Sequence, residues 1–415
     1  MKQIYIVGIG MGNPETLTVG GKACIEKSQA LIGAKRMVDS FSVENVKKHY
    51  AIAPAEIVKW ICEQTDIETV SVLMSGDVGF FSGTKKLCTL LEEKNAERRA
   101  ASENVFCNVE CIAGISSLQY FCSKLKTSWE DARIVSLHGR EANVVGMVQT
   151  NEKTFFLTGS DHPAQEICKR LTETGLGHVE VAVGERLSYA EESILVGSAA
   201  ELAKQNFDSL SVVLVKNHRI QKRRQQSYGF SDDSFLRGNV PMTKEEVRSV
   251  SLSKLHISKN DVIYDVGAGT GSISIEMALM AEEGQVHAVE TNPEAVELIH
   301  SNREKFGAWN LHVHSGKAPE ALYDLPKPDK AFLGGTKGNM EEIIALLVEK
   351  NPQIRIVINA IALESMWESL QVLKKYEFEQ VEIVQLSLAK AKEVANLHMM
   401  TGQNPIFIIS AQKGW

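Results

Sequence analysis

Residues 262–290 place the tightest constraint on how this chain can fold. An apolar run, Val262 to Val266, enters the turn Gly267-Ala268-Gly269-Thr270-Gly271, a helical pattern covers 272–281, and a second apolar run from Gln285 ends at Glu290. Strand, tight turn, helix and strand in that order predict one βαβ unit of a parallel sheet. The glycines let backbone pass close beneath a ligand, and the free amides at the following helix start suit a polar or carboxylate group. A carboxylate at the next strand end, Glu290, suits the vicinal hydroxyls of a ribose, and Asp265 is placed to orient the loop or to reach an ammonium group through a water. Asp265, Gly267, Gly269, Gly271 and Glu290 are therefore candidate cofactor-binding residues. The plain alternative is a structural turn beside a solvated glutamate.

The surrounding pattern extends this unit into a doubly wound domain. Helices are predicted at 243–256, 293–306, 339–349 and 364–374, strands at 311–314, 329–333 and 354–359, and two further strands late in the chain. The segment Gly316-Lys317-Ala318-Pro319-Glu320 falls at the carboxyl edge of the sheet, where small Ala318 suits close approach of a ligand. Gly334-Gly335 ends another strand and leaves room for a ligand, although a mere turn fits as well. Asn359 either contacts substrate or orders its loop. Val240-Pro241-Met242-Thr243-Lys244-Glu245-Glu246 joins a proline turn to a Thr243/Glu246 capping-box spacing, so Thr243 is expected at least to start a helix and, near the sheet's ligand edge, also to close over a bound ligand. Phe235 and Arg237 are candidate substrate contacts, with a packed aromatic and a surface arginine as the alternative. A dinucleotide site would place its third glycine at 272, where the chain has Ser272. The DVGAGTG form, with VHAVETNPEA and GKAPEAL after it, resembles class I S-adenosylmethionine-dependent methyltransferases. The resemblance implies that cofactor and a fold that aligns donor, methyl and nucleophile away from water.

A chain of 415 residues holds two or three domains. The apolar periodicity lapses after 215, so the expected division is a first domain over 1–215, a linker over 216–230 and a second domain over 231–415. Forty-five basic against 52 acidic residues, a net charge of -7, argue against a nucleic-acid partner. The opening MKQIYIVGIG reads as a strand entering a turn rather than an export signal, and no apolar run approaches the ~20 residues of a membrane span. Seven cysteines without a C-x-x-C pair read as reduced thiols, which together with these features gives an expectation of a cytoplasmic location.

In the first half, strands are predicted at 4–7, 70–74, 132–137, 153–158, 179–183 and 211–215, and helices at 18–31, 54–64, 83–94 and 161–174, again an α/β pattern. Three small-residue turns follow strand-like runs: Gly8-Ile9-Gly10-Met11-Gly12, Ser75-Gly76-Asp77-Val78-Gly79 and Gly114-Ile115-Ser116-Ser117. Their glycines, with Asp77, Val78, Ser116 and Ser117, are candidates for a second cofactor site. Together the turns look like the tetrapyrrole methylase family, which implies two α/β lobes holding S-adenosylmethionine in a cleft. Met11 and Val78 stand where prolines are common in that family. Ser136-Leu137-His138-Gly139-Arg140 closes a further strand; Arg140 suits a carboxylate, and His138 either binds one, moves a proton or is structural. Lys222-Arg223-Arg224 would steer acidic substrates or form a solvated linker.

The order of the modules, with SLHGR in the first and VPMTKEEV, DVGAGTG and GKAPEAL-to-FLGG in the second, resembles the fused precorrin methyltransferases of cobalamin synthesis along nearly the whole chain. The resemblance implies a precorrin or cobalt-precorrin substrate, methylation of carbons 5 and 15, loss of the ring C acetate carboxyl and a homo-oligomer. A methyltransferase for another multicarboxylate or for RNA, and a non-catalytic Rossmann-like binding protein, are the alternatives. His312-x-His314 shares a strand face without a third ligand, so no metal site is expected. The catalytic proton-transfer residue is not identified.

Overall fold

The computed structural model describes residues 1–139, 142–159, 161–220, 229–394 and 396–414. Arg140, Lys222-Arg223-Arg224 and most of the expected linker lie outside the described residues. The chain divides into two units. The first comprises 1–139 with 152–218, and the second the described part of 140–151 with 219–415.

The first unit contains two five-stranded sheets. Strands β1 (Lys2–Gly8), β2 (Ala30–Gly33), β3 (Lys47–Tyr50), β4 (Thr69–Met74) and β5 (Cys107–Ile112) form a wholly parallel sheet in the order β3-β2-β4-β1-β5. Such a sheet must be covered on both faces, and alternate residues of β1 supply the two layers. Ile4 and Ile6 pack with Ile57, Ile61, Leu87 and Leu91 of the helices Pro54–Glu63 and Thr84–Ala100. Tyr5 and Val7 pack with Cys24 and Ile25 of the helix Val19–Glu26. The helix predicted over 18–31 therefore ends at Glu26, and Ala30–Gly33 is a buried strand between β3 and β4. A four-residue apolar run has no period of its own to separate it from the helix before it.

The second sheet of this unit is mixed. Strands β6 (Arg133–Ser136), β7 (Lys153–Leu157), β8 (Glu180–Glu185), β9 (Ser193–Ser198) and β10 (Ser211–Lys216) lie in the order β6-β7-β10-β8-β9, with only β6 and β7 parallel.

The second unit is one seven-stranded sheet with helices on both faces. Strands β11 (Val262–Val266), β12 (Gln285–Glu290), β13 (Leu311–Ser315), β14 (Lys330–Leu333), β15 (Arg355–Ala360), β16 (Glu379–Leu386), β17 (Ala389–Val394), β18 (Leu397–Gly402) and β19 (Ile406–Gln412) complete the set. The sheet order is β13-β12-β11-β14-β15-β19-β16, the first five parallel and β19 antiparallel to both neighbours. Four late strands replace the two expected, because β17 and β18 pair only with each other as a ribbon between β16 and β19. The order turns back between β11 and β14, which opens a crevice beyond their carboxyl ends. The helix Val144–Thr150 also belongs to this unit: Asn143 donates from its backbone to Glu282 O at 3.2 Å and from Nδ2 to Gly307 O at 3.1 Å.

A buried arginine organises the approach to this sheet. Arg248, in the helix Glu245–Leu255, has no solvent exposure; Nε donates to Glu276 Oε1 at 2.9 Å and Nη1 to Asp232 Oδ1 at 2.8 Å. It also donates to the carbonyls of Thr243 and Phe230. Burial raises the pKa of Glu276, opposed by the amides of Gly229 and Phe230 and by the guanidinium. Removing one member of a buried ionic network leaves the other uncompensated. Replacing Arg248 with Met is expected to destabilise the second unit by about 3–5 kcal/mol in urea unfolding; a loss below about 1 kcal/mol would count against this role.

Candidate functional site

In the second unit the crevice beyond β11 and β14 is a cleft of about 780 Å³. Gly267, Gly269, Glu290, Ala318, Gly335 and Asn359 line it, as does Thr243. The glycines are there for different reasons. A Cβ on Gly267 would lie 2.6 Å from Gly335 O, so two strand-end turns meet backbone to backbone. Gly269 has φ +57 and a Cβ there would lie 2.9 Å from Pro241 O, which holds the proline turn against the loop. Gly335 has open space on its Cβ side, leaving that wall of the cleft to an incoming group. Gly271 stands behind the loop instead, where a side chain would strike Ile299 at 2.9 Å and allow no close helix packing.

Glu290 does more than face the cleft. Its Oε2 accepts from Gly269 N at 2.9 Å, and Oε1 accepts from Thr291 N at 2.7 Å and Asn292 N at 2.9 Å. Burial opposes its ionisation, but these amides outweigh it and lower the pKa. Glu290 is thus held as a carboxylate, and Oε2 retains acceptor capacity for a ribose hydroxyl. This donor set, the glycine-walled slot and buried Ala318 fit an adenosyl group with a charged tail.

Of the two roles expected for Asp265, the structure shows the one that orients the loop, and the residue does not line the cleft. It is buried beneath the loop, one oxygen accepts from Ser274 Oγ, and the other has no hydrogen-bond partner. Burial, with the nearby Glu290 charge adding to it, raises its pKa to about 7. Asp265 therefore braces the turn from below.

The capping expectation at Thr243 also changes. The helix begins at Glu245, whose amide donates to Asp232 Oδ1 at 3.0 Å, so a residue distant in sequence supplies the cap. Thr243 gives its carbonyl to Arg248, and Glu246 pairs with Lys390 at 2.7 Å. Phe235 is a core residue rather than a substrate contact, because its ring stacks on Phe306 at 4.8 Å and lies beneath the Arg248 guanidinium. Arg237 pairs with Asp233 at 3.2 Å on the surface, away from the cleft lining. Asn359 lines the cleft and exchanges a 3.1 Å hydrogen bond with Ser251.

In the first unit the three turns converge. Gly10 N donates to Gly76 O at 3.1 Å, and Gly76 N returns a bond to Gly10 O at 2.7 Å. A Cβ on Gly8 would meet Gly114 N and Gly76 O at 2.8 Å, so only glycine permits this approach. Asp77 joins the turns by accepting from Gly79 N at 2.8 Å and Gly114 N at 3.0 Å. Ser116 caps the helix Ser117–Lys124 in a capping box with Gln119, while Val78 packs on the core. These two residues therefore shape the turns. Over Gly12 lies the segment around Tyr189, tied by Ser188 Oγ donating to Met11 O at 3.2 Å and by Asn13 Nδ2 donating to Ser188 O at 3.2 Å. Arg36 Nη1 donates to Tyr189 Oη at 3.0 Å, a pair with no sequence signal because its members are 153 residues apart. His138 is exposed at the turn after β6.

On β12 and β13 of the second unit, His287 Nδ1 lies 3.0 Å from His314 Nε2, and its ring stacks on His312. Among the described residues no group of three His, Cys, Asp or Glu is placed to hold a metal ion, and no helix is long and apolar enough to cross a membrane.

Two measurements check this geometry. Calorimetric titration of the whole chain with S-adenosylmethionine should resolve two sites, and Gly269→Val should abolish one of them, since a branched residue meets both the positive φ and Pro241. Unchanged affinity at both sites would exclude this loop. For Asp265, the folded pKa lies above its ordinary value of 3.8, so the folded state binds the proton more tightly. Its contribution to stability falls as pH rises through the interval from about 4 to 7. Asp265→Asn should therefore gain stability relative to the wild type across that interval in pH-resolved denaturation; a constant difference would refute the shift.

Comparison with known proteins matches the two parts of the chain to two families. A family model for the precorrin methyltransferase domain matches residues 234–413, and one for tetrapyrrole (corrin/porphyrin) methylases matches 3–203. A probable cobalt-precorrin-6B C(15)-methyltransferase (decarboxylating) of Sulfolobus acidocaldarius is 41% identical over 192 residues, 45% of this chain and 97% of that protein. The cobalt-precorrin-6B C(15)-methyltransferase (decarboxylating) of Salmonella typhimurium is 39% identical over 184 residues, 44% of this chain and 95% of that protein. A crystal structure of precorrin-6y C5,15-methyltransferase from Geobacter metallireducens shares 37% identity and a TM-score of 0.43, covering 45% of this chain and 98% of its own. The chain thus joins a tetrapyrrole methylase domain to a decarboxylating C15-methyltransferase domain, and it belongs to the S-adenosylmethionine-dependent precorrin methyltransferases of cobalamin biosynthesis.

Proposed function

We propose that the chain carries out two methylations of a precorrin or cobalt-precorrin, the first unit acting at carbon 5 and the second at carbon 15 with loss of the ring C acetate carboxyl as carbon dioxide. The observation that carries this reading is the cleft at the sheet's turning point, where the glycine loop and the ionised Glu290 stand opposite the open wall at Gly335. S-adenosylmethionine, when bound, supplies an electrophilic methyl group. The chain's own work is binding and alignment. Glu290 orders the loop through Gly269 and accepts from a ribose, and Ala318 closes the adenine side. Leu333, Met340, Ile358, Ile361 and Ile406 give the rest of the cleft apolar walls that exclude water.

In the decarboxylation, the carbon–carbon bond to the acetate carboxyl breaks and its electron pair passes into the conjugated imine system of the macrocycle. A later proton transfer restores the double-bond pattern. Holding the non-reacting carboxylates applies remote binding energy to that geometry. We place the reaction in the cytoplasm and expect a symmetric homo-oligomer.

The test is mass spectrometry of the product formed by purified protein from a methyl-labelled donor and the late precorrin, with and without cobalt. Two labelled methyls gained and one carboxyl lost is the expected result. Intact donor binding without turnover of either form would move the assignment to another small polycarboxylate.

A further inference from the structure

The charges around the second unit's cleft are opposite in balance to those of the chain. The whole chain carries a net charge of -7, yet the charged residues lining the cleft are Lys244, Lys317, Lys337 and Glu290. The one carboxylate among them is already held by three backbone amides. Lys317 and Lys337 have no carboxylate partner among the described residues. Lys244 has only Asp232 at 3.7 Å, and that carboxylate is shared with buried Arg248.

Lys337 is the most constrained of the three. It has φ +50 and precedes Gly338 at φ +85, a left-handed pair following directly on the open wall of Gly334, Gly335 and Thr336. A lysine rarely adopts this conformation without tertiary support. Here Nζ donates to Thr291 Oγ1, next to Glu290, so the ammonium stands between the donor-binding strand end and the open wall. An ammonium has three N–H donors, and this contact uses one.

We infer that Lys244, Lys317 and Lys337 form a carboxylate-binding rim on this cleft, and that Lys337 is the positioning residue that sets where a polycarboxylate macrocycle lies relative to the methyl donor. The inference rests on the proposed precorrin reading and adds the residues that would recognise the substrate. Cations around a partly apolar cleft concentrate a polyanion, and the effect weakens with salt.

Steady-state kinetics of the whole protein, read on labelled-methyl incorporation at carbon 15, test it. K337Q is expected to raise KM for the precorrin about tenfold and to flatten the salt dependence of KM, leaving the S-adenosylmethionine dissociation constant unchanged. K337R should recover most of the loss. Unchanged KM and salt dependence in K337Q would overturn the role of Lys337, and a parallel loss of donor affinity would reassign it to the donor. If the wild type turns over no precorrin, the parent reading has failed and binding of uroporphyrin III, an octacarboxylate tetrapyrrole, takes over as the readout. Weaker, less salt-sensitive binding by K244Q/K317Q/K337Q would then support the rim, and equal affinity would overturn it.

Discussion

The Arg248 guanidinium is the contact on which the second unit's cleft depends. It binds two carboxylates and two carbonyls from three separate stretches of chain: Glu276 behind the glycine loop, Asp232 and Phe230 before the sheet, and Thr243 at the cleft's edge. A charge buried this completely is tolerated only when its donors are matched, so each stretch is confined to one position. The proline turn that touches Gly269 is one of them. Its place over the cleft is inherited from a network in the core.

The two units solve the same packing problem differently. In the first, three turns approach backbone to backbone, and Asp77 ties two of them through amides. In the second, a single loop is drawn onto its neighbouring strand by Glu290, whose carboxylate belongs both to the scaffold and to the cleft. A substitution of Asp77 would loosen turns, whereas one of Glu290 would remove a ligand contact and the loop's anchor together.

Much of the second unit was legible from residues alone. Each parallel strand except β13 is an apolar run followed by a helix of clear period, and the switch point follows from their order. Local pattern failed where long-range contacts decide. The Thr243/Glu246 spacing suggested a cap that Asp232 supplies instead. Phe235 sat in a polar stretch and gave no sign of the Phe306 ring that buries it. Strand β2 was absorbed into the preceding helix because four apolar residues carry too little periodicity. Asp265 carries two readings in the sequence, orienting the loop or reaching a ligand through a water, because a carboxylate beside a glycine loop looks the same whether it points into the cleft or beneath it. Lysines 317 and 337 were visible as residues, but only the folded cleft shows that they lack acidic partners.

The position of β19 bears on how the second unit is made. Residues 406–412 lie between β15 and β16, antiparallel to both, so until that stretch has left the ribosome β16 has no partner in the sheet and β15 is paired with β14 alone. Until then β15 presents an unpaired edge rich in isoleucine and valine, the kind of edge that invites pairing with another chain. The nascent second unit therefore has a window in which shielding by a chaperone would matter, and that window closes with seven residues.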